Sequence, residues 1–187
     1  KKQHQHNINR FLRLADTVIS DSQATLDIAK HSHSFLVSPG VHDYWFRYSS
    51  VKAPRNGKYK IIFFGNLRHN NDIRLLKELA MCKKVKIDFF GLIDRSIKEE
   101  VFFQNYMSRA KNSELPRIIS NYHFIVLPYQ ESNFSNTISP AKFYESMATG
   151  KALISNSKLT HIKNWEFFTS CIDFNKPIEQ QLNTIIN

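Results

Sequence analysis

Along this chain, apolar residues fall into short runs of strand length that alternate with stretches at helical spacing. That is the pattern of an α/β layered domain around a doubly wound, mainly parallel sheet. Residues 8–15 read as the end of a helix and 17–20 (TVIS) as a short strand. A helix over 23–30 would be capped by Asp21 or Ser22, and 35–38 (FLVS) form a second strand stopped by Pro39-Gly40. After the aromatic residues Tyr44, Trp45 and Phe46, the polar stretch 49–58 with Pro54 and Gly57 reads as a linker. From Tyr59 onward the units are plainer, with strands at 59–64, 85–90, 101–104, 123–128, 151–155 and 170–174. Helices are predicted over 72–82, 113–120, 140–149 and 177–186, the last with Pro177 in its first turn. The chain thus divides into 1–48, the edge of something larger, the linker 49–58, and a doubly wound domain over 59–187.

Length and charge narrow this picture. At 187 residues the chain is one domain, or one domain with part of a second. With 42% hydrophobic residues and 15 Phe it can bury a core, yet no apolar run approaches the ~20 residues of a membrane span. Cys82 and Cys171 are too few for a disulfide framework, which fits a reducing, cytoplasmic setting. No secretory signal pattern opens the chain, and the missing initiator Met reads as a fragment or a processed chain. The net charge of +10 favours anionic partners: nucleic acid, nucleotide phosphates or an acidic lipid surface. It is spread evenly, since 1–58 hold 9 basic and 4 acidic residues against 17 and 12 in the remainder. Only 5 glycines are present, and neither a dinucleotide fingerprint nor a Walker loop occurs.

Ligands of open parallel sheets bind beyond the carboxyl ends of strands, where helix N-termini also point. Gly65 and Gly91 fall at two such ends, either to let a ligand approach the backbone or simply to make a tight turn. The most informative segment is 137–151, TISPAKFYESMATGK. Ser139 suits an N-cap and Pro140 the first helical position, and Gly150 closes the helix. Lys142 and Glu145 then project from one side near the positive helix end. A phosphate there would meet amides, helix dipole and ammonium together, while the carboxylate could accept two hydrogen bonds from a ribose diol. The same two residues would equally serve as a solvated pair worth under ~1 kcal/mol.

These residues resemble the C-terminal, nucleotide-sugar-binding domain of GT-B glycosyltransferases of the bacterial polysaccharide type. The likeness runs through Phe64-Gly65-Asn66-Leu67, Asp72, Glu114-Leu115-Pro116, Leu127-Pro128-Tyr129 and the whole of 137–151, with the stretch from Ala15 to Phe46 resembling the crossover from the acceptor domain. The resemblance implies a glycosyltransferase that moves a sugar from a nucleotide-diphosphate sugar to a saccharide or lipid-linked acceptor. Glu145 would hold the ribose; Gly65, Asn66 and Arg68 would lie by the diphosphate or sugar; Thr137, Ser139, Pro140, Lys142 and Tyr129 would line the donor cleft. Residues 1–48 would end an N-terminal acceptor domain that supplies any general base, so the chain alone would turn over little. No cofactor beyond the donor is implied, and peripheral contact with the anionic inner face of the cell membrane is compatible with the charge. Three departures stand out: Thr137 replaces a second carboxylate, Asn66 stands at the usual Arg site with no Lys-Gly after it, and Pro39-Gly40-Val41-His42 replaces Asn-Gly-Val-Asp.

Among the histidines, His69 lies within reach of a phosphate near Gly65, while His123 heads an apolar strand and reads as structural. No His, Cys, Asp and Glu set has metal-ligand spacing. Phe134 and Tyr144 would stack on a base or sugar or pack in the core. Two other classes stay open at this level. A basic nucleic-acid-binding module would use the charge, but no aromatic–basic repeat or helix-turn-helix spacing accompanies it, so nucleic acid is not the expected partner. A non-catalytic nucleotide-binding scaffold is the other.

Overall fold

A computed structural model describes residues 2–50, 57–68, 70–94, 105–107, 110–130, 132, 135, 139–156 and 165–186. The first part contains α1 (Lys2–Leu14), β1 (Val18–Ser20), α2 (Gln23–Ala29), β2 (Ser34–Leu36) and a 3-10 turn over Asp43–Phe46. The second contains β3 (Tyr59–Leu67), α3 (Ile73–Met81), β4 (Val85–Ile93), β5 (Asn105–Met107), a 3-10 turn over Asn112–Glu114, α4 (Leu115–Ile119) and β6 (Phe124–Val126). It continues through α5 (Ala141–Ala148), β7 (Ala152–Ser155), α6 (Trp165–Phe168), β8 (Thr169–Cys171) and α7 (Ile178–Ile186). The predicted alternation is therefore present, apart from the strand expected at 101–104, which lies outside the described residues.

Six strands form one sheet in the order β5-β4-β3-β6-β7-β8, every pairing parallel. Counted within this sheet the order is 3-2-1-4-5-6, that of a doubly wound Rossmann-like fold. Its topological switch falls between β3 and β6. Both faces are covered, as a parallel sheet requires. On one face Ile61, Phe63, Ile87 and Phe89 pack with Leu75, Leu76 and Leu79 of α3 and Leu182 of α7. On the other, Ile62, Phe64 and Ile125 pack with Ile119 of α4 and Phe143 of α5. Trp45, 1% exposed, joins this second cluster and lies 5.8 Å from the Phe64 ring, so the aromatic segment Tyr44-Trp45-Phe46 is tied to the six-stranded sheet.

Helix α3 begins where the sequence places it, because Asp72 is its N-cap and accepts from the Leu75 amide at 3.0 Å. The Asn156 side-chain amide also donates to Asp72, which ties the loop after β7 to this cap. Asp72→Ala is expected to cost about 1 kcal/mol, as for loss of a helix cap, and urea denaturation would read it as a lower midpoint at unchanged slope.

The strands β1 and β2 form a separate two-stranded parallel sheet. Around them Phe11, Leu14, Ile19, Ile28, Phe35 and Leu36 are all exposed, at 51% or more. Two parallel strands with bare apolar neighbours do not make a stable unit in water, because parallel sheets need cover on both faces.

Candidate functional site

At the switch point the carboxyl ends of β3 and β6 diverge, and the loops leaving them are pinned to each other. The Asp72 amide donates to the Pro128 carbonyl at 2.8 Å, and Asn71 and Tyr129 form an isolated antiparallel bridge. Asn71, 8% exposed, also accepts from the Arg68 amide at 2.8 Å through its side chain. Arg68 is thereby held at the rim of the crevice while its side chain faces solvent.

Gly65 does not make a turn. β3 runs on through it to Leu67, and β4 runs on through Gly91 to Ile93, with the two glycines side by side in register. Both have positive φ, 109° and 146°, in the range that glycine tolerates and other residues rarely adopt. A Cβ on Gly91 would stand 1.8 Å from the Gly65 carbonyl oxygen. A Cβ on Gly65 would stand 2.0 Å from Lys142 Cε and 2.7 Å from its Nζ. Gly91 therefore makes room for the Gly65 backbone, and Gly65 makes room for the end of the Lys142 side chain. The group that approaches the backbone here is a lysine of the chain itself.

Lys142 and Glu145 come from α5, which follows the loop after β6. The helix begins one residue later than its sequence suggests: Pro140 is the cap residue and Ala141 the first helical one. Ser139 is not the cap. It is 8% exposed, and its hydroxyl pairs with the Tyr144 hydroxyl at 2.9 Å, which tethers the entering chain to the helix instead. Pro140 has no side chain that can cap, although its carbonyl accepts from Phe143 at 2.9 Å. Among the described residues no side-chain cap of α5 is seen. Gly150, at φ 65°, follows the last turn and donates to Met147, as expected of a closing glycine.

The charges around this turn are set by their partial burial. Burial holds the Lys142 ammonium below the usual lysine range; Glu145 opposes the shift and Arg68 adds to it. Burial likewise pushes the Glu145 carboxyl up, offset by a hydrogen bond from the Asn112 side chain and by Lys142. Tyr129 is raised by burial and then by Glu145, so its phenol remains a proton donor. A lysine and a carboxylate on α5 and a phenol in the loop after β6 thus interact, with both charged groups less comfortable than in water. Partial burial of both charged groups sets them apart from a solvated surface pair.

Of the predicted residues, Gly65 and Lys142 are in direct contact, Glu145, Tyr129 and Arg68 act on the same charges, and Pro140 heads the helix. Asn66 lies at the exposed end of β3. Thr137, His69 and Phe134 lie outside the described residues. The sequence reading missed Asn112 and Asn71. The Asn70-Asn71-Asp72 run is a turn signal that points to the second. Asn112 carries no local signal, because the crossover between β5 and β6 brings it to Glu145. Among the described residues no group of three or more His, Cys, Asp or Glu could hold a metal, and no helix is long and apolar enough to cross a membrane.

No protein-family model matches this chain, and no curated protein is significantly similar to it. Solved structures share its fold. HepE from Anabaena, in complex with UDP and glucose, matches with a TM-score of 0.60 at 14% identity, over 100% of this chain and 59% of its own. HepE in complex with UDP alone gives 0.58 at 16% identity, over 100% and 60%. Sucrose-phosphate synthase from Thermosynechococcus elongatus gives 0.55 at 14% identity, over 83% and 44%. The chain spans about half the length of these proteins. The likeness shows the fold expected above, a Rossmann-like α/β fold with a mainly parallel sheet.

Proposed function

We propose that this chain is the donor-binding portion of a nucleotide-sugar-dependent glycosyltransferase. One observation carries the reading: the first turn of α5 lays Lys142 over Gly65, with Glu145 one turn on in electrostatic reach of Lys142, at the switch point of a 3-2-1-4-5-6 parallel sheet. A pyrophosphate at that turn would accept from the Lys142 ammonium and lie at the positive end of the helix, with Arg68 at the rim. These donors would stabilise the charge that grows on the leaving group as the sugar departs. Glu145 would accept two ribose hydroxyls, and its hydrogen bond from Asn112 offsets part of the rise in pKa that burial causes. HepE, which shares the fold, was solved with UDP and glucose, and this favours a uridine nucleotide as the first ligand to try.

In the whole protein, residues 1–48 would close an N-terminal acceptor domain, with the bare apolar surface around β1 and β2 as its contact, and 49–58 would link it to the donor domain. That domain would bind a saccharide or lipid-linked acceptor and supply any general base. The donor would be the only small molecule required. Cytoplasmic placement, with peripheral contact to an anionic membrane, accords with the charge of +10.

The test is a thermal-shift panel of UDP-, GDP-, ADP- and CMP-sugars on the purified chain, since only ligands of the folded state raise the melting point. One nucleotide class is expected to stabilise the chain, with a two-sided pH profile. Affinity falls on the acid side as Glu145 protonates, beginning above the ordinary glutamate range because its pKa is raised. It falls on the alkaline side as Lys142 deprotonates, below the ordinary lysine range because its pKa is lowered. Absence of any shift across the panel, or salt-sensitive oligonucleotide binding that UDP does not displace, would refute the proposal.

A further inference from the structure

Central strands of a parallel sheet are apolar on both sides, because helices cover each face. β4 departs from this on one side. Val85, Ile87 and Phe89 are fully buried toward α3, whereas Lys86 and Asp88 alternate with them on the opposite face, which carries α4. α4 is only 5 residues long. Beside it lies a groove of about 410 Å³ lined by Lys60, Lys86, Asp88, Arg117, Asn121 and Tyr122. Lys60 and Lys86 are register partners near the amino ends of β3 and β4. The Gly65–Gly91 pair is five positions further along the same strands, which separates groove and crevice by roughly 17 Å at ~3.3 Å per residue.

The charges in the groove do not cancel. Asp88, 4% exposed, accepts from the Tyr122 hydroxyl at 2.7 Å and has Lys86 Nζ at 4.0 Å. Burial first, and the Asp88 carboxylate next, raise the Tyr122 pKa, so the phenol stays a donor and the acid an acceptor. Asp88 therefore balances Lys86 and steadies its stem. Lys60 and Arg117 are left as a surplus, since among the described residues no other acid lines the groove. Its volume far exceeds the ~30 Å³ share of one water and lies in the range of small-molecule sites. Ile118 offers an apolar wall beside the cations for the body of such a molecule.

We infer that this groove is a second binding site, at the end of the sheet opposite the donor crevice, for a small phosphate monoester: its phosphate meets Lys60, Lys86 and Arg117, and its body lies along Ile118. The inference does not rest on the donor reading. The test is titration of the whole chain with glucose 6-phosphate, inorganic phosphate and glucose, followed by amide chemical shifts. Glucose 6-phosphate is expected to saturate with shifts at Lys86, Arg117, Asn121 and Tyr122, inorganic phosphate to bind about tenfold more weakly, and glucose to give none. A Lys60→Met/Arg117→Met double variant should weaken glucose 6-phosphate binding by about tenfold or more at an unchanged melting temperature. Its response to UDP should match that of the parent. The site is refuted if sodium chloride at equal ionic strength reproduces the shifts, if they map to Gly65 and Lys142, or if the double variant binds like the parent. Inorganic phosphate binding as tightly as glucose 6-phosphate would overturn the monoester class.

Discussion

Glu145→Gln is expected to remove the thermal shift produced by the cognate nucleotide while leaving the unliganded protein as stable as before, or slightly more so. Loss of a carboxylate that accepts from a ribose diol removes about 2–3 kcal/mol, on the order of 100-fold in Kd. The stability side follows from linkage. Folding raises the Glu145 pKa, so the native state holds the proton more tightly than the unfolded chain, and stability falls as pH rises from the ordinary glutamate value through the raised one. Above the raised pKa the ionised group thus sits on the unfavourable side of its own transition. Gln removes the charge, keeps an oxygen for Asn112, and costs the fold nothing there. A purely structural ion pair with Lys142 would give the opposite result, a lower melting point and unchanged nucleotide binding. Calorimetry of the variant with and without UDP separates the two.

The second large effect is expected from the paired glycines, and it differs between them. Gly91→Ala places a methyl 1.8 Å from a backbone carbonyl oxygen at a φ of 146°. Strand β3 cannot withdraw without breaking its register with β4, so the expected loss is about 2–5 kcal/mol from strain and overpacking together. Gly65→Ala also carries a strained φ, but its clash is with the flexible end of Lys142, which can swing away. Its stability cost should therefore shrink when Lys142 is replaced by Ala, whereas the cost of Gly91→Ala should not. That double-mutant cycle reads the contact directly. Nucleotide binding should fall in Gly65→Ala even where the fold survives, because the ammonium no longer rests where β3 ends.

Much of the fold was legible because its signals are local. Strands such as IIFF and FIVL are apolar on both sides, as only a strand buried between two helical layers can be. Asp72 precedes an apolar helical stripe, and that pattern marks a cap. Where the reading slipped, the deciding partner was distant in sequence. Ser139 has the chemistry of a cap, yet its hydroxyl found Tyr144, and the cap passed to Pro140. Gly65 and Gly91 look like turn residues one at a time. Only their pairing in register across two strands turns them into a hollow for a lysine.

The sequence by itself determined the alternation of strands and helices, the helix that carries Lys142 and Glu145, and the excess of cations, because each depends on periodicity, capping chemistry or composition. The tertiary structure alone decided the strand order, and with it the switch point where Lys142 meets Gly65. It alone brought Asn112 to Glu145 and left Lys86 and Asp88 beside a groove that a longer α4 would have covered. Those outcomes depend on how crossovers pack and how much of a sheet each helix hides, quantities that no single stretch of residues contains.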